Sequence, residues 1–207
     1  MILGNFGLFD AWLSRHVSAS GVPVLSVDYR VVPEHPHPAP VEDSYAGLRW
    51  LGDHADELGV DPGRVAVMGE SAGGGLAGQI LLFPMLDDRN TEPDPEIAPF
   101  AAWTYDDNAT GWGALLGDAA GGPDVPAYAA PARATDLAGL PAAYVEVGQL
   151  DIFRDEDLEY ARRLSRAGVP VEFHLHARVP HYFDAVAFES DVARRALADR
   201  VRVLASL

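Results

Sequence analysis

The sequence predicts an α/β fold, a mostly parallel sheet flanked by helices, on three observations. Short runs rich in β-branched and other apolar residues alternate with stretches of helical periodicity, the arrangement that produces parallel strands joined by crossovers. One serine sits in G-x-S-x-G directly after such a run, in the strand-turn-helix setting that the pattern requires. The chain of 207 residues is 48% hydrophobic and 22% charged, a balance that suits one globular domain over 1–207.

Taken in order, residues 22–29 form a β-branched run ending in Asp28, Tyr29 and Arg30 and read as a strand. Pro33, Pro36, Pro38 and Pro40 then prevent a helix over 33–40. From Val41 the apolar residues Tyr45, Leu48, Leu51 and Leu58 recur at helical spacing up to Gly59. Residues 64–69 and 79–83 read as strands on either side of the serine, and 142–147 and 169–174 as two more. Between the last two, 155–167 is charged and helical in period and is closed by Gly168. Residues 87–141 are rich in Pro, Gly, Asp and Ala and read as loops and short helices, with an amphipathic piece near Trp112–Leu116.

Composition narrows the function. A formal charge of −16 repels phosphate backbones and anionic lipid surfaces, so neither nucleic acid nor membrane is an expected partner. With no cysteine the chain has no disulfide, thiolate nucleophile or Cys-ligated metal. The start of the chain lacks the basic region of a signal peptide, and the longest apolar stretch, 80–86, contains Pro84 and is far short of the roughly 20 residues that span a bilayer. A cytoplasmic location is the expectation.

The chemistry centres on Gly69, Glu70, Ser71, Ala72 and Gly73. A sharp turn from strand to helix holds the serine out in a strained backbone, and the flanking glycines leave room for the neighbouring elements. Gly69–Gly74 and the block Asp28, Tyr29, Arg30, Pro33, Glu34, His35, Pro38, Ala39 resemble the hormone-sensitive-lipase-like group of bacterial esterases, with its G-[DE]-S-A-G-G and D-Y-R-x-x-P-E-H-x-x-P-A segments. The resemblance implies an α/β-hydrolase core. It also implies that an acid and a histidine follow the serine, each after a strand. Asp151, in Gly148-Gln-Leu-Asp-Ile-Phe-Arg-Asp-Glu156, is similar to the family's acid loop, and His181, in Val179-Pro-His-Tyr-Phe183, to its histidine loop. Asp155 and Asp157 compete for the acid role, and Asp151 also suits a helix cap. Ser71, Asp151 and His181 are thus the expected catalytic residues, with the Ala72 backbone N–H as an oxyanion donor.

Two further patterns offer other readings. His35/His37 and His174/His176 are H-x-H pairs, the second on one face of a strand, but no third ligand falls at a recognisable metal-binding spacing. Gly73, Gly75 and Gly78 spell G-x-G-x-x-G, yet they begin after the elbow instead of at the strand end, which weakens a dinucleotide reading.

Against the family pattern, the chain is expected to lack the N-terminal strands, much of the substrate cap and the H-G-G-G oxyanion segment, because Met1, Ile2, Leu3 and Gly4 look like the residues directly after those glycines. Only nine residues, 70–78, separate Gly69 from Gln79, fewer than a parallel crossover usually takes, so 75–78 reads as the seam of an internal deletion. The expected function is a serine carboxylic ester hydrolase for short- to medium-chain esters, working through an acyl-enzyme with neither metal nor organic cofactor. The alternatives are a catalytically impaired fragment of such an esterase and a non-enzymatic, self-associating acidic protein. Uncovered sheet edges make a homodimer possible.

Overall fold

The computed structural model describes residues 2, 6–76 and 79–207. The expected features at Met1, Leu3 and Gly4, and the part of the expected seam at 77–78, lie outside the described residues. The chain divides into two compact units, one formed by 67–183 and the other by 2–66 with 184–207.

The unit of residues 67–183 is built on four parallel strands: β1 (Met68–Glu70), β2 (Ile80–Leu82), β3 (Ala143–Gly148) and β4 (Val171–His176), in the order β1-β2-β3-β4. Gly69 stands opposite Leu81, Leu81 opposite Val145, and Val145 opposite Phe173. The central strands β2 and β3 are buried throughout, as expected of parallel strands covered on both faces. Alternation assigns Ala143 and Val145 to one face of β3, where they pack with Leu81 against Tyr160, Ala161 and Leu164 of helix α5 (Arg154–Arg166). The opposite face carries Tyr144 and the fully buried Glu146, whose carboxylate accepts the Tyr144 hydroxyl at 2.5 Å.

The described part of the short link between β1 and β2 is a tight helix. Residues Ser71–Leu76 form a 3-10 helix, whose rise of about 2 Å per residue runs back along a three-residue strand with fewer residues than an α-helix needs. Glycines permit it. A Cβ on Gly69 would lie 2.1 Å from the Gly73 carbonyl oxygen, and one on Gly75 would lie 2.6 Å from that of Met85.

Residues 83–142 are tied down along their length. Arg133 clamps the buried Asp88 through two bonds of 2.7 and 2.8 Å, and the same carboxylate accepts the Gly121 N–H at 2.7 Å. Arg163 of α5 donates to the Ala132 and Ala134 carbonyls. The amphipathic piece is longer than its apolar residues suggest. It is α4 (Tyr105–Leu116), started by a capping box in which Thr104 and Asp107 satisfy each other's backbone N–H.

The other unit contains α1 (Phe6–Ser20), α2 (Ala39–Asp53), α3 (Ala55–Leu58) and α7 (Asp191–Ala205); the single turn α6 (Phe183–Val186) begins at the end of the first unit. The helix read from Val41 onward is therefore two helices, broken at His54. Helices α1 and α7 meet at a buried ion pair, in which Asp184 accepts Arg200 at 2.5 Å and the Trp12 indole N–H at 3.2 Å.

The expected strand at 22–29 is a correction: those residues carry no regular secondary structure and form no ladder. β-propensity describes fitness for a sheet, and a strand exists only where a neighbour takes its N–H and C=O groups. Among the described residues, 22–29 pair with no strand. The segment is instead packed by α2, whose Gly47 lies so close that a Cβ there would sit 2.5 Å from Val27 Cγ2.

The core assignment has a direct test. Leu164 is 2% exposed while Leu158, on the same helix, is 47% exposed. Leu164→Ala is expected to cost about 2–5 kcal/mol in urea unfolding and Leu158→Ala less than about 0.5 kcal/mol. Equal losses would contradict the packing of α5 on β3.

Candidate active site

Ser71 follows the last residue of β1 directly and has φ = 49°, a left-handed conformation that costs a non-glycine residue on the order of 1–3 kcal/mol. The Ser71 carbonyl accepts the Met85 N–H at 2.9 Å. This fixes the plane of the Ser71–Ala72 peptide, and in a trans peptide the Ala72 N–H points away from that carbonyl.

Asp151 lies just beyond the C-terminal end of β3, in a loop fastened to the histidine segment by Leu150 N–H donating to the Val179 carbonyl at 3.0 Å. His181 follows β4, and its Nδ1 lies 2.7 Å from Asp151 Oδ2 while its Nε2 lies 3.1 Å from Ser71 Oγ. The three side chains expected from the sequence thus form one continuous hydrogen-bonded line. Asp151 is fully buried, His181 is 1% exposed and Ser71 is 8% exposed.

The two competing carboxylates are elsewhere. Asp155 pairs with Arg154 at 2.7 Å, an exposed contact that holds its carboxyl below the usual range. Asp157 is completely buried, and neither carboxyl oxygen has a hydrogen-bond partner among the described residues. Burial, reinforced by the charges of Glu156 and Asp151, raises its pKa well above the ordinary value and so favours the protonated form. The Asp151 carboxyl also caps locally, Oδ1 accepting the Phe153 N–H at 3.1 Å.

Sequence reasoning missed the aromatic walls of the site. Phe83, Phe153 and Tyr182 meet the His181 ring edge to face, with centroids 4.9, 5.2 and 4.3 Å away. Phe83 and Tyr182 also hold positive φ, 40° and 56°. These rings exclude water and restrict the imidazole to the rotamer that bridges Asp151 and Ser71. Glu156 reads in the sequence as one residue of a charged helix, but it accepts the N–H groups of Leu86 and Asp87 at 2.7 and 3.1 Å. Burial pushes its carboxyl up to about 8 against those donors.

His174 Nε2 pairs with Glu172 at 2.7 Å, and His176 Nε2 lies 3.7 Å from Glu146. Gly73 and Gly75 lie within the 3-10 helix behind Ser71, while Gly78 is outside the described residues.

The buried Asp157 sets a pH dependence. Its ordinary pKa is 3.8, and the folded state retains the proton above that pH. The unfolded chain then binds fewer protons than the folded one, so this group's contribution to stability is full below that value and is lost as pH rises toward the folded pKa. Asp157→Asn is therefore expected to be more stable than the parent in urea at about pH 8, with the gap closing toward about pH 4. A gap that is absent at pH 8, or that widens on acidification, would contradict this.

The family described as "alpha/beta hydrolase fold" matches residues 1–185. The chain is 37% identical over 190 residues to Esterase LipI of Mycobacterium tuberculosis, covering 84% of this chain and 59% of that one. It is 35% identical over 198 residues to Carboxylesterase NlhH of the same organism, covering 86% and 62%. Among solved structures it is similar to a bacterial heroin esterase, with TM-score 0.91 and 37% identity, covering 99% of this chain and 71% of that one. It is also similar to EstE1, a thermostable carboxylesterase cloned from a metagenomic library, with TM-score 0.88 and 31% identity over 99% and 75% of the chains. The chain thus spans about six-tenths of the length of the two curated relatives. These likenesses show that the chain belongs to the hormone-sensitive-lipase-like family of the alpha/beta hydrolase fold.

Proposed function

We propose that the chain hydrolyses carboxylic esters of small molecules, of short to medium acyl length, with Ser71 as nucleophile, His181 as general base and acid, and Asp151 as the group that orients the imidazole. The observation that carries the reading is the line Asp151 Oδ2–His181 Nδ1 at 2.7 Å and His181 Nε2–Ser71 Oγ at 3.1 Å.

In this reading Asp151 holds His181 in the tautomer that presents a bare Nε2 to the serine. As Ser71 Oγ attacks the ester carbonyl, Nε2 takes its proton, and the imidazolium is stabilised by the buried Asp151 carboxylate. Negative charge develops on the former carbonyl oxygen, toward which the Ala72 N–H donates. Nε2 then returns the proton to the leaving alcohol, giving an acyl-enzyme and free alcohol. Water deprotonated by the same nitrogen releases the acid and regenerates Ser71. No step requires a metal or organic cofactor.

No described helix is long and apolar enough to cross a membrane. The proposal further places the reaction in the cytoplasm, on a dissolved ester. A homodimer belongs to the same proposal because β1 is an end strand of the four-stranded sheet.

The test is hydrolysis of a short-chain nitrophenyl ester by the purified chain. Ser71→Ala is expected to abolish turnover and Asp151→Asn to lower kcat by about 10³–10⁴, the loss typical of a mis-set tautomer, while sedimentation of the same preparation reads the dimer. Equal rates for parent and Ser71→Ala would overturn the hydrolase reading and favour an impaired member of the family.

A further inference from the structure

The structure assigns Asn90 a positioning role in this reaction: its side-chain amide holds the downstream arm of the acid loop, and so sets where Asp151 meets His181. The inference rests on the Ser71–His181–Asp151 reading above.

The acid loop needs two anchors because Asp151 sits between them. On the upstream side, Gln149 N–H donates to the His176 carbonyl at 2.8 Å and Leu150 N–H to the Val179 carbonyl at 3.0 Å. These tie residues 149 and 150 to the segment that carries His181. On the downstream side, Asn90 Nδ2 donates to the carbonyl of Ile152, the residue directly after Asp151, at 2.9 Å; further along, Arg154 bonds Asp94 at 3.1 Å.

The second proton of the same amide goes to Glu156 Oε2 at 2.8 Å, so one planar group spans Ile152, next to Asp151, and the first turn of α5. Both anchoring residues are themselves held. Asn90's backbone carbonyl accepts the side chain of Asn108, a fully buried residue of α4, at 2.8 Å. Glu156 Oε1 accepts the N–H groups of Leu86 and Asp87. A path of hydrogen bonds thus runs from α4 through Asn90 to the residue beside Asp151. Asn90 bonds Ile152, Glu156 and Asn108, and none of its described hydrogen bonds goes to Ser71, Asp151 or His181, so it acts on the reaction through the loop that carries Asp151. Displacing a catalytic group by about 1 Å can cost on the order of 10²-fold in rate.

Reversing the polarity of one bond separates positioning from simple anchoring. Asn90→Asp removes both donors and places a carboxylate against the Ile152 carbonyl and Glu156. It is expected to lower kcat ten- to a hundredfold, with KM changed less than about twofold, and to lower the urea midpoint. In Asn90→Asp/Glu156→Gln, the new amide at 156 donates to the new carboxylate at 90, while its oxygen still accepts Leu86 and Asp87. That pair is expected to recover the urea midpoint and leave kcat depressed, because the Ile152 carbonyl still lacks its donor. Recovery of kcat together with stability, or an unchanged kcat in Asn90→Asp, would overturn the proposal.

The low-field NMR resonance of the His181 Nδ1 proton provides a readout independent of turnover. It should be present in the parent and in Ser71→Ala, and broadened by solvent exchange in both Asn90 variants. A resonance unaltered in Asn90→Asp overturns the positioning role even if the parent turns over no ester. Equal ester rates for parent and Ser71→Ala, with the resonance behaving as expected, sink only the hydrolase reading.

Discussion

One imidazole connects the functional parts of the molecule. His181 bridges a serine on the turn after β1 and an aspartate after β3, while it is itself carried by the segment after β4. Three strands must therefore end at the same level for a single ring to reach both partners. A parallel sheet with matched register achieves this, because all of its carboxyl ends open on one edge where loops can converge. The apolar packing of β2 and β3 against α5 serves that alignment: it fixes the register, and the register fixes the loop origins.

The arrangement concentrates unfavourable features around one ring. Ser71, Phe83 and Tyr182 all hold positive φ, and Asp151, Glu156 and Asp157 are carboxyl groups in or beside a water-excluded region. The structure offsets these costs in different ways. Asp151 takes the His181 imidazole and the Phe153 N–H, Glu156 takes two backbone donors and Asn90, and Asp157, with no partner among the described residues, keeps its proton. Three positive φ angles and three carboxyl groups gathered around one ring are the pattern of a site supported by its surroundings.

What the sequence made legible was local. The G-x-S-x-G turn, the charged helix closed by Gly168 and the four strands of the sheet are each written in a few adjacent residues, and their observed bounds differ from the expected ones by only a few positions. The segment 22–29 shows the limit of such reading: it has the composition of a strand but joins no sheet among the described residues, and no local pattern encodes where a neighbouring strand lies. The histidine cage and the Asn90 link were hidden for a related reason. Asn90 reads as a loop residue in a polar stretch, and its importance comes from contacts 62 and 66 positions away, with Ile152 and Glu156. A signal was available for α4, where Thr104 and Asp107 have capping-box spacing ahead of Trp112.

The central claim is that the buried line from Asp151 to Ser71 makes this one hydroxyl nucleophilic. Its most direct measurement is covalent labelling of the purified chain by an organophosphonate ester, followed by intact-mass analysis and peptide mapping. The expected result is a single adduct on Ser71, absent in Ser71→Ala and formed at least about a hundredfold more slowly in His181→Ala, where the base that activates the hydroxyl is gone. No adduct, an adduct on another residue, or labelling at the parent rate in His181→Ala would contradict it.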